Sequence, residues 1–538
     1  MTAERTMLWV TMLLTMVGTV LLAGPGIWGA HDLPAGAFHP GHPFFAWHLS
    51  TVPAGGVLSH PPFGWPGSPS GQMIGGVPLA VAAALQWIGP MRAYGVALVV
   101  GPLLTAVTTW GWLKRCSDGT MGARAAGTLA MVFCSFAIAA LGNGQFAKMQ
   151  LWVIPSTLWT LDLFVDRPHV RTAVPLLGVT ILGVLTAPSI AVQLPVAGAL
   201  QLLLTETSRG VRARLTGLAL LGVGMLPGLL FLSADPSSGT RPAVAGAGLR
   251  LRGAPPSASL DDLLFGVGVR ANGLDAINHA PVLALAGLGV GIWLALRAGR
   301  GRRLGLGLLF VGAALALGPV LRWDGDPVSI GSWTVSMPAS WMAALGYPMG
   351  RTGQWYRFVV VASLGLALLL SRAPTRRATL GAVLAVALGV VQAVSQSGHV
   401  FPRPAVPVPA AASMERLRDS TTPGAVVVLP HIASPADVAM GMAMGALARR
   451  HTTAMACHTE GHASTVALRA LVQQAQSARS VEKAHRVLAE AGVAVVVWRP
   501  DSAVIRGEVW LDEAAVSQAL GPPEVDAGTS VWWVNAKP

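Results

Sequence analysis

The residues best suited to chemistry stand at the ends of long apolar runs. His31 and Asp32 follow directly on the first run, Met7 to Gly29, and open a stretch that holds His39, His42, His48 and His60 and no further acid before Arg92. A carboxylate at a membrane surface, partly desolvated by Trp28, Phe44 and Trp47, suits a general base acting on an acceptor hydroxyl. A solvated loop aspartate is the plainer reading of the same residue. His39 and His42 lie three apart and, with Asp32, offer ligands to a divalent ion, but the Pro/Gly-rich loop does not fix their facing. A second group, His451, Cys457, His458, Glu460 and His462, matches no familiar zinc spacing and reads first as a polar turn.

Basic groups occupy comparable places. Lys148 lies in a polar corner, Gly142 to Gln150, between two apolar runs, and suits either a phosphate or a snorkelling role at the interface. Arg351 and Arg357 flank Trp355-Tyr356 just before another run. Guanidinium groups there can grip phosphate oxygens bidentately, and the same residue types also make an interfacial anchor. Asp162, near the end of its run and close to Asp166 and Arg167, is either a proton relay or an edge residue, and Asp261-Asp262 after Ser259 reads as a helix cap.

The elements that must carry these groups are membrane spans. Of 538 residues, 53% are hydrophobic and 11% charged, against roughly 25% charged in soluble proteins. Net charge is +13, but Lys and Arg are dispersed between apolar runs with no basic face, which argues against a nucleic-acid partner. The apolar runs predict about eleven transmembrane helices. They are Met7 to Gly29, Ala93 to Leu113, Ala125 to Gly142, Phe146 to Val165, the short pair Ala173 to Thr186 and Ile190 to Leu204, Leu215 to Ser233, Ala280 to Leu296, Leu304 to Leu321, Phe358 to Leu370 and Ala378 to Val394. Met73 to Ile88, broken by Gly75-Gly76, reads as an interfacial or re-entrant helix. With the N-terminus cytoplasmic, the short inner loops collect Lys114, Arg115, Arg124, Arg167 and Arg171 among others, while the longer outer loops hold fewer cations.

This gives an α-helical polytopic membrane domain over residues 1–396, with outer loops 30–92, 234–279 and 322–357, a linker at 397–409, and a small extracytoplasmic α/β domain over 410–538. In that last domain Ala425 to Leu429 and Val493 to Trp498 read as buried parallel strands, Ala436 to Ala448 and Val481 to Ala491 as helices, and Val531 to Val534 as a closing edge strand. The three cysteines, Cys116, Cys134 and Cys457, make no disulfide or metal pattern.

This order of elements resembles the GT-C superfamily of integral membrane glycosyltransferases, in particular bacterial members with an outer C-terminal domain. Carrying the resemblance are His31-Asp32 after the first span, Pro61 to Gly64 before the interfacial helix, and the Gly142-Asn143-Gly144-Gln145 corner followed by Trp152 and Pro155. Arg351, Arg357-Phe358 and the segments Gly424 to Pro430 and Gly492 to Trp498 complete it. Two departures stand out: Asn143 occupies a place where His is more usual, and the first loop has one acid where several such proteins pair two.

The resemblance implies a bacterial inner-membrane enzyme that moves a sugar from a polyprenyl-phosphate donor to an extracytoplasmic acceptor. In it Asp32 would be the catalytic base, Lys148, Arg351 and Arg357 would bind the donor phosphate, and His31, His39 and His42 would contribute from the loop, with Mg or Mn as a divalent cofactor. Its partners would be the lipid-linked donor and membrane lipid. A non-enzymatic scaffold, or a degenerate transferase that recruits an envelope partner, is the rival reading; a transporter is a weaker one, Asp162 being its one candidate charge within a span.

Overall fold

The computed structural model describes residues 3–36, 39–51, 76–205, 210–233, 301–323, 326–344, 355–397, 400–421, 424–429, 435–450, 452, 470–471, 473–475, 477–499 and 513–534. The predicted span Ala280 to Leu296, the Pro61 to Gly64 motif, the His451 to His462 cluster, Asp261-Asp262 and Arg351 lie outside them. The chain divides into two compact units. One comprises Met1–Leu22, Ile74–Gly76 and Val99–Pro402, the other Ala23–Met73, Val77–Leu98 and Arg403–Pro538.

The first unit is mostly helical, with two small hairpins between Arg322 and Thr334. Among the described residues three helices are long and apolar enough to cross a membrane, namely Ala3–Ala23, Pro90–Cys116, which begins in the other unit, and Met121–Asn143. The third is not continuous: it breaks at Phe133-Cys134 into Met121–Val132 and Ser135–Asn143. The run predicted from Phe146 starts as a short 3-10 turn, Phe146–Met149, and becomes α-helical only at Val153–Asp166, because Pro155 fits a first helical turn and not a helix interior. The short pair is present as Val170–Thr186 and Leu194–Leu204, with the one-turn helix Pro188–Ala191 between them.

Val359–Leu370 is apolar on every face and every residue in it is buried, as expected for a helix enclosed by others. It packs against Arg302–Ala316, and small residues set the separation. A Cβ on Gly365 would meet Leu309 N at 2.4 Å, and one on Gly312 would meet Ala362 N at 2.6 Å. Backbone contact of this kind replaces the hydrophobic drive that lipid cannot supply. Arg115, at the end of Pro90–Cys116, forms ion pairs with buried Asp162 and with the more exposed Asp166. The partner of Asp162 is thus a cation on another helix, not the neighbouring Arg167.

The second unit contains Gly76–Ala84 and the 3-10 turn Gln86–Ile88, in the region read as interfacial. Its four-stranded sheet joins Ala425–Leu429 to Val493–Trp498 in parallel, then runs antiparallel through Thr529–Trp533 to Glu524–Asp526. Helices Pro435–Ala448 and Val481–Glu490 lie where the periodicity places them. The last strand is not the edge that the sequence suggests. Glu524–Asp526 covers it, folded back by a turn at Ala527 and Gly528, both with positive φ; a three-residue strand with two acids has too little pattern to be read. Val427, Leu429, Leu488, Val496 and Trp532 share the core of this region.

Candidate functional site

In the second unit, the first loop begins with a tight reversal. The 3-10 turn Pro25–Ile27 leads back past Leu33, so close that a Cβ on Gly26 would lie 2.4 Å from the Leu33 carbonyl carbon. Asp32–Pro34 then pairs antiparallel with Ala405–Pro407, a segment read from its prolines as a plain linker. Flanking backbone bonds hold the pair: Val408 N to His31 O and Ala35 N to Pro404 O, each 2.8 Å. Arg403 is buried, donates from Nε to Ala35 O at 2.6 Å, and has its pKa pushed down by burial.

Asp32 is half-buried on this strand, and among the described residues its carboxylate accepts no hydrogen bond and forms no ion pair. Of the three aromatic residues expected to shield it, one stands in solvent and two are buried against each other. Trp28 is exposed, whereas Phe44 and Trp47 pack on each other with ring centroids 5.3 Å apart. The neighbouring His31 turns to Glu415, 3.1 Å from Nε2 to Oε1.

His39 and His42 meet one tyrosine. His39 is fully buried, with Nδ1 2.8 Å from the Tyr94 hydroxyl, and His42 stacks on the same ring at 5.5 Å. Among the described residues no three His, Cys, Asp or Glu side chains gather as a metal site. A hard divalent ion wants several oxygen ligands, and among the described residues Asp32 and two histidines engaged by a phenol do not supply them.

In the first unit, Lys148 and Arg357 come together around Tyr356. Lys148 is carried by the 3-10 turn Phe146–Met149, and Tyr356 and Arg357 by the turn Trp355–Phe358 that leads into the buried helix Val359–Leu370. Lys148 Nζ donates to Tyr356 Oη at 2.9 Å and lies 5.5 Å from the ring centroid, so it stands at the hydroxyl end of the ring, not over its face. The Arg357 guanidinium carbon is 5.8 Å from the same centroid. Lys148 and Arg357 are each 8% exposed and Trp355 and Tyr356 each 1%. Burial this deep inside the protein does not suit a snorkelling lysine or a belt of interfacial anchors. The two predicted phosphate ligands that are described thus share one phenol.

Two groups that matter here, Tyr94 and Glu415, were not among the candidates. A signal existed for the first: the chain has only three tyrosines, and a phenol in an apolar chain must find a polar partner when buried.

The class this architecture defines is a mostly helical protein with apolar, membrane-length helices, and its fold is similar to that of a solved glycosyltransferase. No family model matches the sequence, and no curated protein matches it. Among solved structures, the chain is similar to the arabinofuranosyltransferase AftD from Mycobacteria, at 15% identity and TM-score 0.52, over 99% of this chain and 40% of AftD. It therefore spans less than half the length of that enzyme. Fainter likenesses are to ArnT from Cupriavidus metallidurans bound to undecaprenyl phosphate, 14% identical with TM-score 0.46 over 99% of this chain and 98% of ArnT, and to the oligosaccharyltransferase AglB from Archaeoglobus fulgidus in complex with an inhibitory peptide and a dolichol-phosphate, 11% identical with TM-score 0.46 over 92% and 69%.

Proposed function

We propose that this chain transfers a sugar from a polyprenyl-phosphate donor to an acceptor outside the cytoplasm. The observation that carries this is the pair Lys148 and Arg357, two cations buried around one tyrosine, in a chain with the GT-C fold. Structures of ArnT and AglB hold undecaprenyl phosphate and dolichol-phosphate respectively, and a lipid phosphate is the ligand class we assign to these cations.

In the proposed reaction Asp32 takes the proton of the acceptor hydroxyl, and the acceptor oxygen attacks the anomeric carbon. The bond from that carbon to the phosphate oxygen breaks, and the electron pair leaves with the phosphate. Lys148, Arg357 and Arg351 stabilise the charge that develops on the leaving group. Asp32 lies on a paired strand with its carboxylate uncommitted among the described residues, which suits a base. The domain reading goes with this: spans over 1–396 in the bacterial inner membrane, and residues 410–538 outside the cytoplasm.

The test is lipid-linked sugar turnover in cells carrying Asp32→Asn at matched expression. A general base contributes about a hundredfold or more, so turnover should fall at least that far. Unchanged turnover removes the mechanism and leaves a membrane scaffold.

A further inference from the structure

Tyr356 is the residue that brings two cations to one place. Its ring is 1% exposed, packs against Phe136 at a centroid distance of 6.5 Å, and sits in a turn whose flanking rings, Trp355 and Phe358, stack at 6.0 Å. The phenol is therefore fixed, whereas a lysine carries four rotatable bonds. Its 2.9 Å bond to Tyr356 Oη ties the ammonium to that fixed ring.

Arg357 supplies a second, independent observation. The residue is 8% exposed, and its buried Nε has no hydrogen-bond partner among the described residues. Leaving a charged donor buried without an acceptor is costly, and proteins keep such groups where something else completes them. The phenol ring next to the guanidinium offsets part of the charge without competing for its N–H groups. An anion with several oxygens, a phosphate monoester or a diphosphate, would satisfy the guanidinium and the ammonium at once.

We infer that Tyr356 is the positioning residue of this anion site, holding Lys148 and Arg357 at the separation at which both reach one phosphate group. This rests on the phosphate-binding role proposed above and adds to it the element that makes two mutually repelling cations act together. Tyr356 acts through Lys148, not on the sugar.

The test is calorimetric titration of the purified full chain in detergent with farnesyl phosphate and, separately, inorganic phosphate. Wild type is compared with Tyr356→Phe, Lys148→Met, Arg357→Met and the double variant Lys148→Met/Tyr356→Phe. Losing a hydrogen bond to a charged group corresponds to roughly tenfold in affinity, so Tyr356→Phe should weaken binding by about that factor. The double variant should bind no more weakly than Lys148→Met alone, because the tyrosine then has no ammonium to position. If Phe does not yield folded protein, Tyr356→Leu, which also removes the ring beside the guanidinium, should weaken binding by at least that factor. Losses that add, or Tyr356→Phe binding like wild type while Lys148→Met and Arg357→Met fail, overturn the positioning role and leave the phosphate site standing. Wild type that binds neither probe overturns the phosphate reading itself. Binding of farnesyl phosphate alone identifies a lipid-borne head group, and equal binding of inorganic phosphate identifies recognition of the bare anion; either supports the site.

Discussion

Asp32 stands directly opposite Pro407 in an antiparallel ladder, with backbone bonds at the adjacent position His31/Val408 and at the far end of the ladder, Ala35/Pro404. Opposed residues in such a ladder alternate between bonded and non-bonded pairs, and a proline at a non-bonded position costs no hydrogen bond. The candidate base is thereby held by a partner strand from the far end of the chain. Its backbone is fixed while its carboxylate is uncommitted among the described residues.

Tyr94→Phe should destabilise the protein by about 1–3 kcal/mol, because it removes the partner of His39 Nδ1 at a fully buried position. The unfolding midpoint of the purified chain, followed by circular dichroism, measures this. An unshifted midpoint would mean that the bond contributes nothing.

Added Mn²⁺ or Zn²⁺ should leave the midpoint of the wild type where it is, because His39 and His42 engage Tyr94. Metal stabilisation that disappears in His42→Ala would contradict that assignment.

Asp162 and Asp166 both pair with Arg115 but differ in exposure, with side chains 7% and 45% exposed. Asp162→Ala should cost about 3 kcal/mol, since it breaks a buried pair. Asp166→Ala should cost less than about 1 kcal/mol, as solvent-exposed pairs do. Comparing the two unfolding midpoints decides the matter, and equal losses would refute the ranking.

Gly365→Val should disrupt the seam between Val359–Leu370 and Arg302–Ala316, because even its Cβ would fall 2.4 Å from Leu309 N and 2.6 Å from Gly305 O. The expected cost exceeds about 3 kcal/mol, as the clash is with backbone that cannot rotate away. The yield of monodisperse protein on size exclusion is the readout, and wild-type yield would count against close packing there.

The candidate site was legible to different depths. Apolar runs ending in His31-Asp32, Lys148 and Arg357-Phe358 mark where chemistry meets the membrane edge, because a charge is tolerated at a span's end and not at its centre. What each group faces was not legible. Nothing local in the Pro/Gly-rich loop shows that His39 and His42 turn to Tyr94, or that Glu415 takes His31. Nor does a proline-punctuated linker announce a strand: Ala405–Pro407 has no alternating pattern, and its pairing with Asp32–Pro34 is visible only in space.

By itself the sequence determined that most of the chain is helical and apolar, that Phe358 to Leu370 is a continuous apolar run, and that Ala425–Leu429 and Val493–Trp498 are buried parallel strands. Those properties follow from composition and periodicity, which act over a few residues at a time. The tertiary structure alone decided that Lys148 and Arg357 share Tyr356, that Arg115 answers Asp162, and that Thr529–Trp533 is covered by Glu524–Asp526. Each depends on bringing distant segments within a few ångströms, and pairing at that range depends on how the whole chain closes, which no local pattern encodes.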